Sequence, residues 1–186
     1  MKILAISDRP PREKIKAILD KNPVEVICLL GDLDQFSLQE LQDITNLPKV
    51  GVYGNHCSGR YFDPLGITNM HLKTFEFGGF VFGGFEGCVR YKSDPYAKMY
   101  TQEEAAELLK DFPRVDVILV HCPPYGVNDE SEVAHQGFKA LREYVLQKKP
   151  KYLLHGHTYP TAENMITKLG DTEIIYVYED KLIDLE

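Results

Sequence analysis

The 186-residue sequence predicts an α/β fold of two mixed β-sheets packed together, with helices outside. Two observations carry this expectation. Short apolar runs alternate with helix-spaced segments through the first half, the order of successive strand–helix units. The middle and the C-terminal part read instead as hairpin-like strands, which adds antiparallel pairing to a parallel core. The length suits one domain over residues 1–186. The weakest place for a boundary is the loop 58–69, but both its flanks are needed for one site.

Each element has a local reason. Residues 2–6 are a short apolar run that reads as a buried strand. Pro10 and Pro11 open a segment, 12–19, with apolar residues at 15, 18 and 19, which is helical spacing. Residues 24–30 form the second strand, ended by Gly31. Ser37 is placed to N-cap a short helix through Thr45. Residues 49–53 are a third strand, ended by Gly54. The Phe- and Gly-rich stretch 72–85 reads as a hairpin, its two Gly-Gly pairs supplying turn or bulge chemistry. Thr101 and Glu104 have capping-box spacing ahead of a helix to Asp111. Residues 115–120 are a strand ended by His121, 134–147 an amphipathic helix, and 152–154 a strand ended by His155-Gly156-His157. The stretches 161–168, 173–178 and 181–185 read as β.

The net charge is -7 and the pI about 5.4. Extended nucleic acid is disfavoured as a partner, because phosphate backbones are held by clustered Lys and Arg. A small phosphorylated substrate remains open, since a metal ion can supply positive charge locally. No apolar run approaches the roughly 20 residues that span a bilayer. The opening MKILAISD is too short for a signal-peptide core, so a cytoplasmic protein without membrane contact is expected. Cys28, Cys57, Cys88 and Cys122 form no CxxC pair and read as free thiols. Cys57 and Cys122 each follow a histidine and are minor candidates for thiolate ligation.

One pattern recurs. An apolar strand runs out and a metal-type ligand follows: Asp8, Asp32 after Gly31, Asn55 and His56 after Gly54, His121, and His157 after Gly156. In open α/β sheets ligands bind beyond the carboxyl ends of the strands, so these points converge on one crevice. Carboxylates with imidazoles suit divalent Mn, Fe, Zn or Ni. Any one of these could be a turn former or a surface group; their joint occurrence argues for a site.

These residues resemble the calcineurin-like metallophosphoesterase superfamily, whose signature is DxH, GDxx, GNH(D/E), a lone H after a strand, and GHxH. Here the segments are Asp8-Arg9-Pro10, Gly31-Asp32, Gly54-Asn55-His56-Cys57, His121, and Gly156-His157-Thr158-Tyr159, spanning residues 3 to 159. The resemblance implies the αββα sandwich of that family and a hydrolase acting on phosphoesters. It implies that Asp32, Asn55, His121 and His157 hold one tight metal. The other metal site keeps Asp8 but has Pro10 and Tyr159 where the family has histidines. A weakened or empty site is the favoured expectation there. The alternatives are ligation by a Tyr159 phenolate, or Arg9 supplying its own cation to phosphate. His155 is a spare imidazole, expected on the same side as His157 by strand alternation.

The implied mechanism is attack on phosphorus by water that the metal activates, with His56 as general acid. Cys57 stands where the family often has an acidic residue, a role Asp34 could take instead. Arg9, Arg90 and His135 are candidate substrate contacts, with Lys92 and Tyr125 beside them. The segments HCPPYG and HGHTYP resemble a subgroup of small members, some of which act on nucleotides or cyclic nucleotides. Because one metal site is degraded, turnover is expected to be slow. The competing reading is a catalytically weak or inactive member that serves as a binding or scaffold protein.

Overall fold

The computed structural model describes residues 1–57 and 59–186. The strands, in chain order, begin with β1 (Lys2–Ser7), β2 (Val26–Leu29), β3 (Lys49–Gly51), β4 (Thr68–Asn69), β5 (Thr74–Phe77) and β6 (Phe80–Phe85). They continue with β7 (Cys88–Val89), β8 (Met99–Tyr100), β9 (Val117–Val120), β10 (Tyr152–His155), β11 (Ile166–Leu169), β12 (Thr172–Tyr176) and β13 (Glu179–Asp184). The α-helices are α1 (Ile15–Lys21), α2 (Gln102–Leu109) and α3 (Lys139–Lys148). Among the described residues, one sheet has the order β13-β1-β2-β3-β4 and the other β11-β12-β10-β9-β6-β5, with β7 and β8 as a separate pair. β1 to β4 run parallel with β13 antiparallel at the edge. β12, β10, β9 and β6 are likewise parallel, flanked by antiparallel β11 and β5.

Side-chain alternation explains the layering. On β1, Ile3 and Ala5 face the second sheet and join Val26, Cys28, Val117, Leu119, Leu154 and Ile175 in the core between the sheets. Leu4 and Ile6 face the other way and pack under α1 with Ile15 and Ile18. Ile118, Val120, Leu153 and Ile174 pack under α2 and α3 with Leu109, Leu141 and Val145. Strands apolar on both faces are what a sheet covered on both sides requires. The result is the two-sheet α/β sandwich read from the sequence. No helix among the described residues is long and apolar enough to cross a membrane.

Several local readings change. Ser37 caps no helix: its N–H and hydroxyl bond the Asp34 carboxylate, and only a 3₁₀ turn, Gln39–Asp43, follows Leu38. The segment 134–147 is not one helix. A 3₁₀ turn (Val133–His135) is separated from α3 because Phe138 is extended and bridges Pro124. Gly137 lies so close there that a Cβ would sit 2.5 Å from Tyr125 N. The stretch 161–168 divides into a 3₁₀ turn, Ala162–Asn164, and β11. Of the two Gly-Gly pairs, Gly78-Gly79 is the hairpin turn, both residues at positive φ. Gly83-Gly84 lies inside β6 and makes room for Phe112, Val115, Val52 and Met70. In the stretch 58–69, Ser58 lies outside the described residues; beyond it come a 3₁₀ turn, Asp63–Leu65, and β4. The capping box of α2 forms as expected.

Candidate metal centre

The carboxyl ends of β1, β2 and β3 in one sheet meet those of β9 and β10 in the other. Asp8 follows β1 and Asp32 follows β2, while His121 and His157 follow β9 and β10. Asp8, Asp32 and His157 turn sharply there, with φ of 62°, 53° and 69°. Asp, Asn and His tolerate this left-handed region better than most residues. Two glycines let the backbones close in. A Cβ on Gly54 would collide with the Asp32 carboxylate, and one on Gly156 would collide with Ser7 Oγ and the Asp8 carboxylate.

Hydrogen bonds aim the side chains. His121 is fully buried, and its Nδ1 lies 2.7 Å from the Leu30 carbonyl. A carbonyl only accepts, so Nδ1 carries the proton. Nε2 therefore faces Asn55 Oδ1 at 3.1 Å and Asp32 Oδ2 at 3.3 Å. In the neutral imidazole three lone pairs then converge with no hydrogen among them, which is repulsive unless a proton or a metal cation sits between them. His157 is oriented in the same way: Nε2 donates to the Ala134 carbonyl at 2.7 Å, freeing Nδ1. Ligand atoms of Asp32, His121 and His157 lie within 4.8 Å of one another. The donor set, with the Asn55 amide oxygen, suits a divalent first-row ion.

The electrostatics carry the same signature. Burial opposes charge on His121, but Asp32, then Asp8, outweigh it and push the imidazole up to about 9. Burial likewise works against the Asp32 carboxylate, yet His121 and the His56 N–H at 2.8 Å hold it well below the ordinary range. Burial, then the neighbouring His121 charge, pushes His157 down to about 3.

Asp8 stands to one side. Its carboxylate accepts from Ser7 Oγ at 2.8 Å and from the His157 N–H at 3.1 and 3.2 Å, and burial raises its pKa. Among the described residues Asp8 joins no group of three His, Cys, Asp or Glu ligand atoms. Tyr159 is 68% exposed and packs edge-on against Tyr178. Partial burial and the Asp8 charge raise its phenol, which works against a phenolate ligand. His155 does not accompany His157, because the strand ends at 155 and alternation stops with it. It is fully buried, bonded to Asn128 Nδ2 at 3.0 Å and to the Gly156 carbonyl.

The other predicted residues are distributed unevenly. His56 is exposed beside Asp32, and Arg9 is exposed next to Asp8. The His135 ring centre lies 5.5 Å from that of His157, with Nδ1 3.5 Å from Glu132. Arg90 instead grips Glu104 at 2.8 Å and the Met99 carbonyl, so its guanidinium belongs to the cap of α2. Lys92 lies 3.7 Å from Asp94. The Tyr125 ring has Lys139 Nζ 5.5 Å from its centre. Asp34 is spent on Ser37. Cys57 is a thiol raised by burial, and Sγ accepts the N–H groups of Asp32 and Gly54 at 3.1 and 3.2 Å. Burial also raises Cys122, whose Sγ donates to the Gln136 carbonyl. Residue type gave no sign of the Leu30 and Ala134 carbonyls, and Tyr91, which accepts from Asn55 Nδ2 at 3.5 Å, was likewise unmarked.

The family profile of the calcineurin-like phosphoesterase superfamily domain matches residues 1–175. The chain belongs to this superfamily. No curated protein matches its sequence. Among solved structures, TT1561 of Thermus thermophilus is similar with a TM-score of 0.65 at 18% identity, over 94% of this chain and 88% of that one. A hypothetical protein from the same organism is similar with a TM-score of 0.54 at 19% identity, over 95% of this chain and 75% of that one. A further crystal structure reaches a TM-score of 0.70 at 15% identity, over 100% of this chain and 99% of that one. At these identities the likeness concerns the fold. In this member of the superfamily, the signature segments DxH and GHxH depart from the family at Pro10 and Tyr159, both on the Asp8 side.

Proposed function

We propose that this phosphoesterase hydrolyses a small phosphorylated substrate, such as a nucleotide or cyclic nucleotide, at one divalent metal held by Asp32, Asn55, His121 and His157. The observation that carries the reading is the convergence of His121 Nε2, Asn55 Oδ1 and Asp32 Oδ2, a trio that a proton or a metal cation has to hold together. A divalent ion held by these residues would lower the pKa of a water and polarise a phosphoryl oxygen.

The chain's own groups supply the rest. Asp32 orients the His56 backbone through its N–H, which leaves the exposed imidazole at the mouth of the site. From there His56 hands a proton to the leaving oxygen. Asp8, partly buried and bonded to Ser7, is the acceptor for the attacking water on its side of the centre. Arg9, exposed beside it, pairs with a phosphoryl oxygen in place of a second metal. With one metal position reduced to Asp8, turnover is slow and favours activated esters.

The Asp8 side also gives the competing reading its support. An exposed Tyr159 where a ligand is expected suits a surface used for binding rather than catalysis. Hydrolysis of bis-p-nitrophenyl phosphate with manganese separates the two. Wild type is expected to turn over, and His56→Ala to lose about 10²-fold or more in kcat with metal binding intact. Equal silence of both proteins, with metal bound, favours the binding reading.

A further inference from the structure

One contact ties the centre to a neighbouring cleft. Asn55 is 4% exposed, and its Oδ1 faces His121. An amide can be turned either way, and only one way presents oxygen to a metal. His121 Nε2 faces the oxygen, and on the Nδ2 side the Tyr91 hydroxyl accepts at 3.5 Å and steadies the amide in that orientation. The same tyrosine, half-buried against the core under α2 and α3, lines a cleft of about 590 Å³ with Arg90, Lys92, Ser93, Asp94 and Pro95. Arg90 is committed to Glu104 at 2.8 Å, but Lys92 is held only loosely, 3.7 Å from Asp94 and 5.4 Å from the centre of the Tyr91 ring. The cleft thus offers a ring wall and an available ammonium next to a metal ligand. A phosphomonoester has one organic arm, whereas a diester has a second arm that needs such a space.

We infer that Tyr91 is a positioning residue for Asn55 and the wall of a subsite for the second ester group of a phosphodiester, with Lys92 receiving an anionic group carried on that arm. This rests on the proposed hydrolytic reading. It makes the substrate a diester with a carboxylate or further phosphate beyond the scissile bond, and it couples filling of the cleft to the orientation of a metal ligand.

Tyr91→Phe keeps the ring and removes the hydroxyl. Manganese affinity by titration calorimetry is expected to weaken about tenfold, as for other partners that orient metal ligands. Thermal unfolding of the metal-free chain is expected to be unchanged, which a purely structural role of the hydroxyl would not allow. The subsite is read with two p-nitrophenyl diesters, one whose second arm ends in a carboxylate and one whose arm ends in its methyl ester. Lys92→Ala is expected to raise KM several-fold for the carboxylate alone, with kcat held. Unchanged manganese affinity in Tyr91→Phe, or equal KM changes for the two diesters, overturns the inference and leaves the proposed hydrolysis standing. A wild-type chain that binds no manganese overturns both.

Discussion

Asp8, Asp32 and His157 each hold a left-handed backbone, a conformation that costs on the order of 1–3 kcal/mol at a non-glycine residue. The surroundings fix them: Asp8 N–H donates to the Gly31 carbonyl, and His157 N–H to the Asp8 carboxylate. Side-chain ionisation follows from the same crowding and gives the metal-free chain a pH optimum. His155 and His157 are held down at about 4 and about 3, by burial first, so the unfolded chain takes up protons that the folded chain refuses. Their effect is a stability that rises with pH up to the ordinary histidine value, about 6.5. His121 behaves oppositely. It is raised to about 9, so its contribution is complete below about 6.5 and is lost as pH climbs through 9. Asp8, raised by burial, opposes the rise at the acid end only. The urea midpoint of chelator-treated protein is therefore expected to peak near pH 6.5. With manganese bound, the alkaline arm is expected to flatten, because ligation replaces the His121 proton. An alkaline arm that is flat without metal would refute the His121–Asp32 pairing.

At the scale of elements, the strand ends are brought together by glycine. Gly54 closes β3 against the turn after β2, where any side chain meets the Asp32 carboxylate and backbone. Gly54→Ala is expected to cost about 1–3 kcal/mol through overpacking and to weaken manganese binding at least tenfold. Gly79→Ala is the informative contrast. Gly79 sits in the β5–β6 turn at φ 83° with nothing within 4 Å of a Cβ, so its cost is backbone strain alone, about 1–2 kcal/mol. Metal affinity is expected to survive there. Equal affinities in both variants, by calorimetry, would remove Gly54 from the centre. These elements also mark where sequence is readable. The strands show as apolar runs, and the α2 cap shows as Thr101 and Glu104, because both are set by near neighbours. The break before α3 does not show, because it is made by Pro124 pairing with Phe138 from outside the segment. Ser37 misleads for a similar reason: Asp34 captures it before it can serve a helix.

Over the whole molecule, the candidate centre joins the two halves of the sandwich. Asp32 and Asn55 come from the sheet of β1–β4, and His121 and His157 come from the sheet of β9 and β10. Which strands neighbour one another was not legible, since apolar runs carry no address; yet ligand-type residues after β2, β3, β9 and β10 were enough to outline the candidate site. What stayed hidden were its orienting partners, the Leu30 and Ala134 carbonyls and the Tyr91 hydroxyl, because any residue has a carbonyl and tyrosine is common. A site that spans both sheets links metal occupancy to global stability. An ion bound to the folded chain alone, at a hundred times its Kd, contributes about 2.7 kcal/mol. For a chain of this length each kcal/mol moves Tm by about 2–4 °C, so manganese is expected to raise Tm by about 5–10 °C. Asp32→Asn keeps the shape and an acceptor for the His56 N–H but gives up the charge that faces His121. It is expected to lose most of the manganese-dependent rise, measured by calorimetric scanning with and without metal. A rise of the same size in Asp32→Asn would place the bound ion elsewhere, and the junction between the sheets would then be held by packing alone.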